Sequence, residues 1–156
     1  MRLELVKDWM TREVITAVPT MGVMEAGNLM REKRVRRLPV VDGDGRLIGI
    51  LTHGDVREAK PSTSSALSAW ELNYLLARLT VGEVMSESVL TTTPETTIGE
   101  AAQIMYQHKI SGLPVLDATG ALIGILTESD IFRMVVHDWQ KSQDTPTPPY
   151  AYYEEV

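Results

Sequence analysis

Two threonine–aspartate pairs with one spacing, Thr52-x-x-Asp55 and Thr127-x-x-Asp130, stand 75 positions apart, each directly after the apolar run Leu-Ile-Gly-Ile-Leu. At a helix start, a threonine hydroxyl and an aspartate three residues on can satisfy the free N–H groups of the first turn. The same geometry suits a nucleotide. A carboxylate at that place can accept hydrogen bonds from both hydroxyls of a ribose, while nearby N–H groups and the helix dipole favour phosphate. The two uses are compatible, because one face of the motif can cap while the other binds. A second feature is the basic run Arg31-Glu32-Lys33-Arg34-Val35-Arg36-Arg37. Arg36 and Arg37 can make charge-assisted, bidentate bonds to phosphate, and equally can be a solvated helix end favoured by the dipole.

Other chemistry is poorly represented. The sequence has no P-loop, no G-x-G-x-x-G, no H-E-x-x-H and no G-x-S-x-G. His53, His108 and His137 fall in different segments without ligand spacing, and the absence of cysteine excludes thiolate catalysis and thiolate metal sites. Asp42-Gly43-Asp44-Gly45 resembles the start of a calcium loop, but the twelfth position is His53, where a bidentate glutamate is required. The expectation is therefore a protein that is not an enzyme and holds no metal.

The elements that must position these residues come as a duplication. Shifting the chain by 75 aligns residues 6–60 with 81–135 without a gap, and about 20 of the roughly 55 positions are identical. Each copy opens with a short helical or turn-like entry (Val6 to Met10, Val81 to Met85), then a β-prone piece (Val14-Ile15-Thr16, Val89-Leu90-Thr91), then Pro19 or Pro94. A helix follows. In the second copy Thr97-Ile98-Gly99-Glu100 is a capping box leading an apolar face of Ala101, Ala102, Ile104 and Met105; Met21, Met24, Leu29 and Met30 occupy the same region of the first, as core packing. Leu38 to Asp42 and Leu113 to Asp117, each joined through a glycine-containing turn to a second apolar run, predict two β-hairpins. The threonine–aspartate corner then opens a closing helix. Between the copies, Lys60 to Ser65 reads as a loop, and Ser68-Ala69-Trp70-Glu71 caps a connector helix bearing Trp70, Leu72, Tyr74, Leu75, Leu76 and Leu79. So much apolar surface suggests packing on the copies or on a second chain. The predicted divisions are 1–60, a linker with helix at 61–80, 81–137, and a proline- and tyrosine-rich tail at 138–156 with the composition of a disordered segment.

The 156 residues suffice for a real core, burying on the order of 70% of the unfolded surface. Charges at Arg2, Glu4, Lys7 and Asp8 stand where a signal peptide needs an apolar stretch, and no run approaches the roughly 20 apolar residues of a membrane span. A cytoplasmic protein is expected. The formal charge of −6 argues against general affinity for nucleic acid.

The duplicated order of β-piece, helix, Leu-Pro-Val-x-Asp hairpin, Gly-Ile-Leu-Thr-x-x-Asp and closing helix closely resembles the CBS domain, and two in tandem resemble a Bateman module. The resemblance covers residues 6 to about 137. It implies an α+β fold of two β-α-β-β-α units related by a pseudo-twofold axis, with two clefts between them. It also implies a ligand such as AMP, ADP or ATP, or in some members S-adenosylmethionine, and a homodimer. Carried over position by position, Thr127 and Asp130 would hold a ribose in a cleft shared with Ile15, Val35, Arg36 and Arg37. Thr52 and Asp55 would do so in a second cleft with Leu90, Ile110, Ser111 and Gly112. The first cleft is expected to be the main nucleotide site, because Ser111 and Gly112 offer only a hydroxyl and backbone groups where the first has two arginines. The leading expectation is a stand-alone sensor that changes how it contacts a separate regulated protein. The alternatives are a ligand-free interaction module and, against the overall charge, a nucleic-acid adaptor using Arg31 to Arg37.

Overall fold

The computed structural model describes residues 4–60 and 68–143. The first copy begins with α1 (Val6–Trp9), followed by α2 (Val23–Lys33), the hairpin of β1 (Arg37–Val41) and β2 (Leu47–Thr52), and α3 (His53–Ala59). The connector helix α4 (Ala69–Arg78) leads to α5 (Val81–Val84), α6 (Ile98–His108), the hairpin of β3 (Gly112–Leu116) and β4 (Leu122–Thr127), and α7 (Glu128–Ser142). The two hairpins have matching registers, Pro39 opposite Ile50 and Pro114 opposite Ile125, with an irregularity at the same place in each. The loop residues 61–67 and the tail residues 144–156 lie outside the described residues, while α7 runs past position 137 to Ser142.

The β-prone pieces at Val14–Thr16 and Val89–Thr91 do not become strands. Each is reduced to one parallel bridge a residue later, Ala17 with Val40 and Thr92 with Val115. The hydrogen bonds give the reason. Ala17 donates to the Pro39 carbonyl at 2.9 Å and accepts from Val41 at 3.0 Å; Thr92 does the same with Pro114 at 2.9 Å and Leu116 at 3.0 Å. The next rung would need an N–H from Pro39 or Pro114, which proline lacks.

The hydrophobic cores do not follow the chain order of the copies. Val6 and Met10 are buried with Ile98, Ala101, Met105, Leu113, Val115 and Leu126, whereas Val81 is buried with Val23, Met30, Leu38, Val40 and Leu51. Each entry segment has crossed to the other unit. Val6 N–H donates to Thr96 and Ile98 N–H to Glu4, both at 2.8 Å; reciprocally, Val81 N–H donates to Met21 at 2.8 Å and Val23 N–H to Leu79 at 2.9 Å. Further on, Thr11 exchanges two 2.9 Å bonds with Ile125, and Ser86 pairs with Ile50 at 2.9 and 3.0 Å. This crossing explains the glycine inside both apolar runs. A Cβ on Gly124 would lie 2.6 Å from Met10 Sδ and 3.1 Å from the Thr11 carbonyl, and one on Gly49 would meet Met85 and Ser86 in the same way.

The capping boxes form as the spacing predicts. Thr97 N–H donates to Glu100 at 2.9 Å, and Ser68 N–H to Glu71 at 2.7 Å. Asp42 closes its turn by accepting from Asp44 at 2.9 Å and Arg46 at 3.0 Å, with Gly45 at φ 76°. Met30 and Met105 are core residues, but Met24 is 39% exposed, so the core reading does not extend to it. In α4, Leu72 and Leu76 are half-buried, as is Leu79 just after it, while Trp70, Tyr74 and Leu75 are exposed, with Trp70 and Tyr74 stacked at 5.7 Å.

Candidate functional site

Each threonine–aspartate corner sits where a hairpin strand turns into a helix. In the second unit Asp130 is 6% exposed and accepts three hydrogen bonds. One oxygen, Oδ2, accepts from the Thr127 N–H at 2.9 Å and the Thr127 hydroxyl at 3.1 Å; the other, Oδ1, accepts from Arg133 at 3.1 Å. Arg133 also donates to the Trp9 carbonyl at 2.7 Å and lies over the Trp9 ring at 5.6 Å, tying the corner to the crossed entry helix. In the first unit Thr52 N–H donates to Asp55 at 2.8 Å and Asp55 N–H to the Thr52 hydroxyl at 3.2 Å. The position equivalent to Arg133 is Glu58, so Asp55 has a like charge where Asp130 has a partner. The capping use of both motifs is thus realised, with Asp130 the more firmly held.

A cavity of about 410 Å³ opens beside the second corner. Thr127, Glu128, Ser129 and Asp130 form one side; Ile15, Val35, Arg36 and Arg37, from the first unit, form the other. All six residues predicted for the first cleft therefore meet at one place. Arg37 crosses further and donates to the Ser111 hydroxyl. Burial pulls its guanidinium below the ordinary value, Glu128 across the cleft opposes that shift, and Arg36 adds to it. A half-buried cation beside a second arginine is an anion-seeking arrangement. The apolar wall of Val14, Ile15, Val35 and Ile125 gives the cavity a surface for a flat ring.

The residues predicted for the second cleft are divided. Ser111 faces the first cleft, Gly112 is buried with the Arg37 side chain against it, Leu90 is 41% exposed, and Ile110 lines a groove between α6 and α7. None of the described cavities gathers them with Thr52 and Asp55. The physical cause is the Arg37 side chain: Gly112 is its counterpart in the other copy, and a Cβ there would lie 3.0 Å from Arg37 Cδ. Thr11, Glu13, Glu128 and Ser129 also line the first cleft without having been singled out from the sequence. Glu128 and Ser129 lie inside the threonine–aspartate spacing and were open to being found there. Thr11 and Glu13 become visible only once the entry segment is seen to cross over.

The profile of the CBS domain matches residues 6–62 and 81–137. The chain belongs to the CBS domain family. It is a tandem CBS pair, a Bateman module, whose units have the β-α-β-β-α order with the first strand reduced to a bridge. A CBS domain-containing protein of Dictyostelium discoideum is 32% identical over 147 residues, covering 94% of this chain and 98% of that one. A CBS-pair protein of Arabidopsis thaliana, solved in complex with AMP, superposes with a TM-score of 0.74 at 30% identity, covering 87% of this chain and 98% of that one. Another CBS domain pair, solved with 5′-methylthioadenosine and S-adenosyl-L-methionine, gives 0.73 at 30% identity over 88% of this chain and 99% of its own. The chain spans 22 to 24% of the length of the first curated relatives it matches. Among the described residues no helix is long and apolar enough to cross a membrane, and no group of three or more histidines and carboxylates has a metal-ligand arrangement.

Proposed function

We propose that this CBS pair is a regulatory sensor for an adenine nucleotide, AMP, ADP or ATP, which it binds in the cleft between Asp130 and Arg36. The observation that carries the reading is the meeting, in one cavity, of a buried carboxylate at a helix start, an apolar wall and two arginines from the opposite unit. In this reading Thr127 and Asp130 take the ribose hydroxyls, Ile15 and Val35 flank the adenine, and Arg36 and Arg37 neutralise phosphate. The relative solved with AMP supports the ligand class. Thr52 and Asp55, which no described cavity joins to Leu90, Ile110, Ser111 and Gly112, keep the capping role alone. The chain senses and does not catalyse, acts in the cytoplasm where such nucleotides vary, and passes its state to a regulated partner from a homodimer.

The exposed stripe Phe132, Val135, Val136 and Trp139 on α7 supports the dimer, since these residues recur on one helical face. One observation favours a second ligand. Glu13 and Glu128 line the same cleft, and two carboxylates suit the cationic sulfonium of S-adenosylmethionine, which a relative binds. Thermal shift with AMP, ADP, ATP and S-adenosylmethionine separates the readings, because only a true ligand stabilises the native state by mass action. A shift with the nucleotides alone supports the sensor as proposed; a shift with S-adenosylmethionine alone assigns the cleft to it. No shift with any of the four, together with no nucleotide released on denaturing the purified protein, overturns the proposal.

A further inference from the structure

Arg133 meets Asp130 from outside the cleft. It is not among the residues lining that cavity, yet one of its guanidinium nitrogens donates both to Asp130 Oδ1 at 3.1 Å and to the Trp9 carbonyl at 2.7 Å. The guanidinium also lies over the Trp9 ring, and that ring is fixed in turn: its Nε1–H donates to Glu4 at 3.0 Å, and His137 packs edge-on at 5.4 Å. Asp130 is therefore held from two sides. Thr127 occupies Oδ2 twice, while Arg133 occupies Oδ1 once and leaves that oxygen an acceptor position to spare. The last torsion of an aspartate is ordinarily broad. With each oxygen tied to a different residue, it is confined to one orientation.

The fold does not need this arrangement to start a helix. In the first unit Asp55 accepts from the Thr52 N–H through Oδ2 at 2.8 Å, and among the described residues its Oδ1 accepts nothing. The positions equivalent to Arg133 and Trp9 are Glu58 and Val84, which supply neither the cation nor the ring. Yet α3 has a complete capping box. Nor is Arg133 needed to seat the entry segment, since Thr11 already exchanges two 2.9 Å backbone bonds with Ile125. The Arg133 side chain is 60% exposed, so ordering it against Trp9 gives up rotamer freedom. A helix cap does not call for that cost; a carboxylate that must meet a ligand in one orientation does. The arginine stands only in the unit whose corner opens on the cavity with an apolar wall and two arginines opposite.

We propose that Arg133 is a positioning residue for the ligand: it holds the Asp130 carboxylate so that Oδ1 meets a ribose hydroxyl, and thereby makes the cleft select ribonucleotides over 2′-deoxyribonucleotides. The inference rests on the nucleotide reading of that cleft and deepens it. A vicinal diol presents two donors at a fixed separation, which a freely turning carboxylate meets only part of the time. A deoxyribose has one hydroxyl fewer at that place and leaves an acceptor of a buried aspartate without its partner.

The experiment is calorimetric titration of AMP and 2′-deoxy-AMP into the full native chain, an Arg133→Gln variant and an Arg133→Lys variant, with melting curves to show that each is folded. The native protein is expected to bind AMP at least about 10-fold tighter than 2′-deoxy-AMP. Arg133→Gln is expected to reduce that ratio to about 3-fold or less, by weakening AMP. The ratio decides, because loss of a cation near a phosphate, or a loosened α1, weakens both ligands alike and leaves it unchanged. Arg133→Lys keeps the charge without the planar fork; it is expected to give an intermediate ratio and carries the test should the glutamine variant not fold. A native ratio in the folded variants overturns the inference and leaves the nucleotide cleft standing. Tighter AMP binding by Arg133→Gln overturns it too, because Arg133 would then compete with the ligand for Oδ1. Equal affinity of the native protein for the two ligands overturns the inference together with the ribose assignment. Binding of neither overturns the nucleotide reading itself.

Discussion

Replacing Asp130 by alanine separates what the carboxylate does for the fold from what it does for a ligand. In the native protein it accepts from the Thr127 N–H, the Thr127 hydroxyl and Arg133, at 2.9, 3.1 and 3.1 Å. Loss of that cap from a helix start costs about 1–2 kcal/mol, which for a domain of this size lowers Tm by roughly 2–8 °C. Asp55→Ala removes the equivalent carboxylate, which accepts from the Thr52 N–H at 2.8 Å, and leaves the 3.2 Å bond from the Asp55 N–H to the Thr52 hydroxyl; it is the control for the fold. The ligand effect is larger. Two ribose hydroxyls donating to a carboxylate are worth about 1.5–3 kcal/mol each, so Asp130→Ala is expected to weaken AMP binding by about 100-fold or more. Asp55→Ala, with a smaller loss of Tm, is expected to leave the strongest site within about 3-fold of native affinity. Calorimetry on both variants, with melting curves to show that each is folded, decides the matter. Native-like AMP and ATP affinity in a folded Asp130→Ala protein would refute the ribose assignment. Loss of binding from Asp55→Ala alone would move the site to the other corner.

Gly124→Ala is expected to destabilise by about 1–3 kcal/mol, read as a lower urea midpoint at unchanged slope, because the new Cβ meets Met10 Sδ at 2.6 Å and the hydrogen-bonded Thr11 carbonyl at 3.1 Å. A double-mutant cycle with Met10→Ala should show coupling; additivity would place the cost elsewhere. Thr92→Val is expected to stabilise by about 1 kcal/mol, because the Thr92 hydroxyl is buried without a partner among the described residues and its counterpart in the other copy is Ala17. Loss of stability in that variant would mean that the hydroxyl has a partner. The bonds of Glu71 and Glu100 to the N-cap residues Ser68 and Thr97, and those of Asp117 to Thr119 and Ala121, hold the three carboxyls below the ordinary carboxylate range. Their contribution is therefore present above the unfolded value and is lost as pH falls through the lowered folded value. Urea midpoints measured from neutral pH downward should drop in that acidic window, and Glu100→Gln should flatten the drop.

Much of this was legible in the chain because it is local. Capping boxes are three residues long, hairpins need only two apolar runs and a turn, and the duplication doubles every such signal. What escaped is non-local. The crossing of Val6–Trp9 into the second unit leaves no mark in the local pattern, since Val6 and Val81 are the same residue type and either core would accept either one. The shortened first strands were misread because Val14-Ile15-Thr16 is strand-like by propensity, while the missing donor sits on Pro39, more than twenty residues away. Ser111 and Gly112 were placed in the second cleft by equivalence, an inference that holds only where side chains at the axis have similar size.

Near the pseudo-twofold axis that condition fails, and the failure is informative. Residues identical in both copies, the glycines of the apolar runs, the hairpin prolines and the threonine–aspartate corners, all serve geometry that both units need. Among the residues that differ at or beside the cleft are Arg36 against Ser111, Arg37 against Gly112, Glu128 against His53, and Arg133 against Glu58. Arg37 reaches the Ser111 hydroxyl along a path that runs directly against Gly112, where a Cβ would stand 3.0 Å from both Cδ and Nε of the arginine. Two arginines could not both make that crossing, because each would need the room the other fills and their charges would repel. A long cation on one copy therefore demands a residue without a side chain on the other. An asymmetric site at this axis is thus the steric consequence of placing an arginine there: the cleft that gains Arg37 is the one opposite the better-held aspartate, Asp130.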